Sequence, residues 1–79
     1  MKQFNNLYEL YQAIKTIVEN KERKCDYFNL FLQETGDVEL WVKNDMFADM
    51  LLSDNITEEE YQELSYMLYK HKIDVYVHH

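Results

Sequence analysis

Seven carboxylates lie between residues 44 and 69, in a segment that contains neither lysine nor arginine. They are Asp45, Asp49, Asp54, Glu58, Glu59, Glu60 and Glu63. The remaining eight acids are balanced by the eight basic residues of the chain, so the net charge of −7 belongs to this segment. A one-sided negative surface repels nucleic acid and anionic membranes and attracts basic protein surfaces. The chemistry these residues offer is therefore ionic recognition of a protein partner.

Three tyrosines belong to the same segment, Tyr61, Tyr66 and Tyr69, and Tyr is as much an interface residue as a core residue. We expect the partner-binding residues to be Asp45, Asp49, Asp54, Glu58, Glu59, Glu63, Tyr66 and Tyr69. The expected partner is a protein with a basic surface, for example a nucleic-acid-binding enzyme. Direct nucleic-acid binding is disfavoured, because phosphate contacts need positive surface. An alternative stays open, in which the acids only favour a helix N-terminus and solubility.

The histidines and the cysteine do not have the spacing of a metal site. His78 and His79 are adjacent and point to opposite sides of an extended strand, and His71 is expected to end a helix. Neither a CxxC nor an HxxxH pair is present. The stretch from Asp49 to Glu60 fails as a calcium loop, because Leu51 would occupy a ligand position. We therefore expect no metal and no cofactor.

Catalysis is not expected. Cys25 lies beside Arg23 and Lys24, which would lower the pKa of an exposed thiol, but no histidine is near it in sequence. The chain also has no GxSxG motif for a serine nucleophile. A structural cysteine is the simpler interpretation.

Length and composition indicate one small domain spanning residues 1–79. A chain of 79 residues with 47% hydrophobic residues builds one core and cannot divide it. Proline is absent and glycine occurs once, so no linker or Gly-rich phosphate loop is present. The apolar runs are far shorter than the roughly 20 residues of a membrane helix. A single cysteine forms no internal disulfide and fits a reducing cytoplasm, where we expect the protein to act.

Three helices are predicted. Apolar residues from Leu7 to Val18 recur with helical period, and Asn5 or Asn6 is available as N-cap. Lys21, Arg23 and Lys24 follow, and their positive charges complement the negative C-terminal end of the helix dipole. A short second helix is expected from Asn44 to about Leu52. The sequence Thr57-Glu58-Glu59-Glu60 forms a capping box. A third helix is therefore expected from Glu58 to about His71, with Tyr61, Leu64 and Leu68 buried.

Two alternating stretches predict a hairpin around a three-residue loop, Thr35-Gly36-Asp37. That loop pairs Leu32 with Leu40 and Leu30 with Val42, which gathers the aliphatic side chains on one face. The opposite face then carries Phe31 beside Trp41 and Asn29 beside Lys43. Alternation of Ile73, Val75 and Val77 predicts a last strand.

The predicted fold is an α+β domain of order α-β-β-α-α-β. Its three-stranded antiparallel sheet has strand order 2-1-3, because a right-handed crossover places the last strand beside the first. Helices cover one face of the sheet. The other face would expose Tyr27, Phe31, Trp41 and, from the last strand, Tyr76, which makes Tyr27, Phe31 and Trp41 a candidate dimer face.

Two functions follow from these surfaces. In the first, the protein is a small inhibitor or adaptor whose helical carboxylates imitate nucleic-acid phosphates and block a basic site. In size, charge and tyrosine content the chain is similar to small acidic phage or mobile-element proteins that block host nucleases, without a shared motif. In the second, it is a module that self-associates as a homodimer through the aromatic sheet face.

Overall fold

The computed structural model describes residues 3–20 and 27–79, which form a single small α+β domain. Two helices and a four-stranded mixed sheet follow the order α-β-β-β-α-β. The elements in chain order are α1 (Leu7–Val18), β1 (Tyr27–Leu32), β2 (Asp37–Lys43), β3 (Ala48–Asn55), α2 (Glu58–Lys70) and β4 (Tyr76–Val77).

The first predicted helix is confirmed as α1. Asn6 is its N-cap, and the Asn6 side-chain oxygen accepts a hydrogen bond of 2.9 Å from the backbone N–H of Glu9. The apolar stripe buries Leu10, Tyr11 and Ile14 against the sheet. The basic residues predicted to follow this helix, and Cys25, lie outside the described residues.

The last predicted helix is confirmed as α2, together with its capping box. The Thr57 hydroxyl accepts from the backbone N–H of Glu60 at 3.1 Å, and the Glu60 carboxylate accepts from the backbone N–H of Thr57 at 2.9 Å. Tyr61, Leu64 and Leu68 are buried as expected. Local sequence therefore determines where α2 begins and which side of it faces the sheet.

The hairpin of β1 and β2 forms, but its predicted register is wrong. Leu32 pairs with Val38 and Leu30 with Leu40, so each β1 residue meets a β2 residue two positions earlier than expected. The three-residue loop consists of residues 34–36, one position earlier than predicted. Gly36 is its last residue, at φ 90°, a left-handed conformation that this type of loop reserves for glycine. Because the shift is two residues, the core-facing side chains remain those predicted.

The predicted short helix from Asn44 to Leu52 is wrong, since this segment forms a turn and then β3. The Asn44 side-chain oxygen does accept hydrogen bonds from the backbone N–H groups of Met46 and Phe47, at 2.8 and 3.1 Å. Those bonds close a tight turn between β2 and β3 instead of starting a helix. An eight-residue helix is marginal by itself, whereas pairing with β2, with one irregularity between Leu40 and Trp41, gives hydrogen-bond partners to the backbone groups on the β2 side of β3.

The sheet has the strand order β3-β2-β1-β4. The expectation that the last strand lies beside the first is confirmed. The prediction of a three-stranded antiparallel sheet is wrong, because β3 adds a strand and β4 runs parallel to β1. With β3 in place of a helix, the chain enters α2 from the opposite end of the sheet, and the crossover returns a parallel strand.

Both helices pack on one side of the sheet around one apolar core. The sheet contributes Phe28, Leu30, Val38, Leu40 and Val42, and the helices contribute the six residues named above. Neither described helix has the length and hydropathy that a bilayer span requires. The side of the sheet opposite the helices is called the outer sheet face below. It carries the residues that alternate with the core side chains, among them Tyr27, Phe31, Trp41 and Tyr76.

Candidate protein-interaction surfaces

The acidic segment does not form one continuous face. Asp45 is exposed in the turn between β2 and β3 and Asp49 at the start of β3, whereas Glu58 and Glu59 are exposed at the start of α2. These two groups lie at opposite ends of β3. At about 3.3 Å per strand residue, roughly 20 Å of β3 separates Asp49 from Asn55. The single electronegative face expected from the sequence is therefore two separate acidic patches.

Asp54 is buried, with 5% of its surface exposed, and its carboxylate binds backbone amides. The carboxylate accepts from the N–H groups of Gln3 at 3.4 Å, Phe4 at 3.3 Å and Asn55 at 2.7 Å. It thereby fastens the segment before α1 to the end of β3. A carboxylate used in this way is not available to a partner, so Asp54 leaves the set of expected contact residues.

Five of the expected partner-binding residues lie together on α2. Glu58, Glu59, Glu63, Tyr66 and Tyr69 are all exposed, and these five residues are called the α2 face below. Glu59 and Glu63 are one helical turn apart, and Tyr66 and Tyr69 continue the same side toward the C-terminus. The first base on α2 is Lys70, in its last turn. The α2 face is therefore a row of carboxylates followed by exposed aromatic rings.

A groove of about 810 Å³ runs between α2 and the C-terminal strand, and it is called the β4 groove below. The helix side includes Gln62, Tyr66 and Tyr69, and the strand side includes Val75 and Val77. A smaller depression of about 550 Å³ adjoins it at the start of α2, lined by Thr57, Glu58, Glu59 and Gln62. Gln62 lines both spaces, so the groove leads toward the carboxylates of the α2 face.

Tyr61 holds the two walls of this groove together. Its hydroxyl lies within hydrogen-bonding distance of two backbone carbonyl oxygens, at 3.0 Å from that of Leu30 in β1 and close to that of His78 after β4. Burial of the ring raises the pKa of Tyr61 to about 12. The phenol therefore stays protonated and donates at physiological pH, which fixes β4 against the helix.

The outer sheet face carries the aromatic residues expected there, in a different arrangement. Phe31 lies opposite Glu39, and Trp41 lies opposite Asn29, so the two rings are diagonal neighbours and not a direct pair. The Trp41 indole N–H donates to Glu39 at 3.1 Å. Phe31 and Trp41 are half-buried, while Tyr27 and Tyr76 are 61% and 62% exposed. Tyr27 and Tyr76 are therefore the most exposed aromatic rings of this face.

The C-terminal histidines point to opposite sides of the sheet, as predicted. His78 stacks on Phe31 on the outer sheet face, with ring centroids 4.3 Å apart, and its Nε2 is 2.9 Å from the side-chain oxygen of Asn29. His79 contacts Tyr61 on the helix side, with ring centroids 5.9 Å apart. Among residues 3–20 and 27–79, no group of three His, Cys, Asp or Glu side chains is arranged to hold a metal ion.

Sequence reasoning missed the β4 groove and the role of Asp54. The groove depends on the parallel placement of β4, which no local pattern encodes. The sequence does contain a signal for the position of Asp54. Asp54 follows two leucines and a serine in a segment whose apolar residues are compatible with a strand as well as with a helix.

Comparison of the chain with protein-family models, with curated proteins and with solved structures found no match.

Proposed function

We propose that this protein is a small protein-binding module that recognises a basic surface of its partner through the α2 face. The observation that carries the proposal is the grouping of Glu58, Glu59 and Glu63 with Tyr66 and Tyr69 on the exposed side of one helix. Carboxylates form charge-assisted hydrogen bonds with Lys and Arg, and neighbouring tyrosines supply apolar contact area. A nucleic-acid-binding protein, whose own site is basic, is the partner class that this combination suits best.

Rigidity of the α2 face supports the proposal. The capping box fixes the first turn of the helix, and three buried side chains hold the opposite side against the sheet. The backbone of a rigid helix loses little conformational freedom on binding, so backbone ordering does not offset the ionic contacts of its carboxylates. Such a protein acts by occupying a basic site, as an inhibitor or adaptor, without chemistry of its own.

The test is affinity capture from the native host, followed by titration of the captured protein against a charge variant. Glu59→Gln with Glu63→Gln removes two carboxylates of the α2 face and leaves Glu58 and Glu60 to support the helix N-terminus. The control, Glu19→Gln with Glu34→Gln, removes the same number of charges from exposed positions outside the acidic segment. Loss of each charge-assisted contact costs about 1–3 kcal/mol, so the α2 variant should bind at least tenfold more weakly.

Salt dependence separates recognition from solubility. The affinity of the wild type should fall steeply as ionic strength rises, and the α2 variant should show a shallower dependence. The control variant should retain both the wild-type affinity and its salt dependence. Equal losses in both variants would mean that only net charge matters, and the specific role of the α2 face would be wrong.

A second function, self-association as a homodimer, is favoured by the outer sheet face. Tyr27 and Tyr76 are exposed there beside the half-buried Phe31 and Trp41. Sedimentation equilibrium at micromolar concentration tests it: a dimer that Tyr27→Asp dissociates supports this function. Trp41 fluorescence should then shift to the red on dilution. A monomer at all concentrations, with emission unchanged, excludes it.

A further inference from the structure

One side of β4 has its backbone groups open. The backbone N–H of His78 donates to the carbonyl of Leu30 at 2.9 Å, and β4 lies at the end of the sheet. Because N–H and C=O groups alternate in direction along a strand, those of Val77 point away from β1. No strand among the described residues pairs with that side. An open edge of this kind is a template for a further strand.

The β4 groove lies along this open edge and is bounded by α2. An added strand would run about 4.8 Å from β4, between Val77 on one side and the α2 side chains on the other. Its side chains would alternate between the groove, where Tyr66 and Tyr69 line the wall, and the outer sheet face beside Tyr76. The space therefore fits an extended segment better than a helix.

Charge indicates what kind of segment fits. The groove leads past Gln62 to the depression lined by Glu58 and Glu59. The contact of His79 with Tyr61 brings the C-terminal end of β4 to this acidic end. At the other end, Lys72 and Asp74 line the groove with opposite charges. The negative potential is therefore concentrated beside the first turn of α2.

We propose that the β4 groove binds an extended segment of a basic partner protein, which adds a strand to the open edge of β4. A Lys or Arg of the segment lies against Glu58 and Glu59, and apolar side chains at alternate positions enter the groove. Backbone hydrogen bonds to Val77 supply affinity, and the side-chain positions supply specificity. This inference rests on the proposed function, since it takes the partner to be basic.

A random nine-residue peptide library displayed on phage is the probe. We expect the selected peptides to share apolar residues at i, i+2 and i+4 with Lys or Arg at one end. N-methylation of the central peptide amide removes a strand hydrogen bond and keeps the side chains, so it should weaken binding at least tenfold. Selected peptides with helical spacing, or with affinity unchanged by N-methylation, would overturn the proposal, as would a library that yields no binders.

Two variants at one position test the strand edge on the protein itself. Val77→Pro removes the N–H that points away from β1 and leaves the His78 bond to Leu30 in place, so it should abolish peptide binding. Val77→Ala keeps the N–H and should weaken binding by less than tenfold. Circular dichroism checks that both variants fold. If Val77→Pro does not fold, the N-methylated peptide tests the same strand hydrogen bonding from the peptide side.

The partner and the oligomeric state complete the test. Val77→Pro should also weaken binding of the captured partner. If Glu59→Gln with Glu63→Gln weakens that binding while Val77→Pro does not, the proposed function stands and the strand-addition inference fails. A concentration-dependent dimer that Val77→Pro dissociates would show that a second copy of the chain occupies the edge, which also overturns the inference.

Discussion

The Tyr61 hydroxyl and the His78 carbonyl join the first half of α2 to the residue that follows β4. The strand is only two residues long, and its ladder to β1 is correspondingly small. The position of the C-terminal segment therefore depends on this contact from the helix. The strand side of the β4 groove and the orientation of the open edge of β4 depend on the same contact.

Tyr61→Phe should destabilise the protein by about 1–2 kcal/mol. The substitution keeps the buried ring but leaves the His78 carbonyl without its phenol donor. For a domain of this size, that loss lowers Tm by roughly 4–8 °C per kcal/mol. Thermal unfolding followed by circular dichroism measures it. Tyr69→Phe is the control. Because Tyr69 is 86% exposed, this variant should unfold at the wild-type temperature.

Stability should fall at alkaline pH because of the same residue. Burial raises the pKa of Tyr61 from 10.0 to about 12, so the folded state holds the phenolic proton more tightly than the unfolded chain does. The contribution is complete below pH 10 and is lost as the pH rises through about 12. Urea unfolding across this range should show a steeper loss in the wild type than in Tyr61→Phe. Equal slopes would contradict the assignment.

Asp54→Asn should destabilise the fold, although it lowers the net negative charge. The carboxylate accepts three backbone N–H groups, and the amide offers only one oxygen. A buried hydrogen-bonded carboxylate contributes about 1.5–3 kcal/mol per such bond at most, so we expect a loss of roughly 2 kcal/mol in the free energy of unfolding. Asp49→Asn, at an exposed position of the same strand, should change it by less than about 0.5 kcal/mol.

Lys72→Gly should stabilise the protein by about 0.5–1 kcal/mol. Lys72 follows His71, the C-cap of α2, and has φ 56°. Its N–H donates to the carbonyl of Tyr69, and the N–H of Ile73 donates to the carbonyl of Leu68. This is the helix-ending geometry in which glycine is preferred, because a Cβ is strained in the left-handed region. Urea denaturation provides the measurement. The converse change, Gly36→Ala at φ 90°, should lower stability by a similar amount or more. The added Cβ would be strained in the left-handed region and would lie 3.2 Å from the side-chain Nδ2 of Asn55.

Part of the candidate site could be predicted because it depends on one helix. The capping box, the buried Tyr61, Leu64 and Leu68, and the exposure of the remaining α2 residues all follow from helical periodicity. The diagonal arrangement of Phe31 and Trp41 was not predicted, because hairpin register depends on which loop residue adopts the left-handed conformation. Gly36 does so as the third residue of the loop, which displaces the pairing by two positions.

By itself, the sequence determined α1, α2, their caps and the core-facing side of β1 and β2. Those features depend on bonds and periodicities within a few residues of each other. Only the tertiary structure decided the fate of residues 44–55, because Asp49 and Asp54 lie opposite Val42 and Val38 and break the alternation expected of a strand. Asp54 is tolerated because its carboxylate accepts three backbone N–H groups, and Asp49 because it is exposed near one end of an edge strand, which also accommodates the irregular register. The pairings of β3 with β2 and of β4 with β1 join residues that are distant in the sequence, so no local pattern predicts their hydrogen bonds. Those pairings determine the positions of the acidic residues, the β4 groove and the outer sheet face.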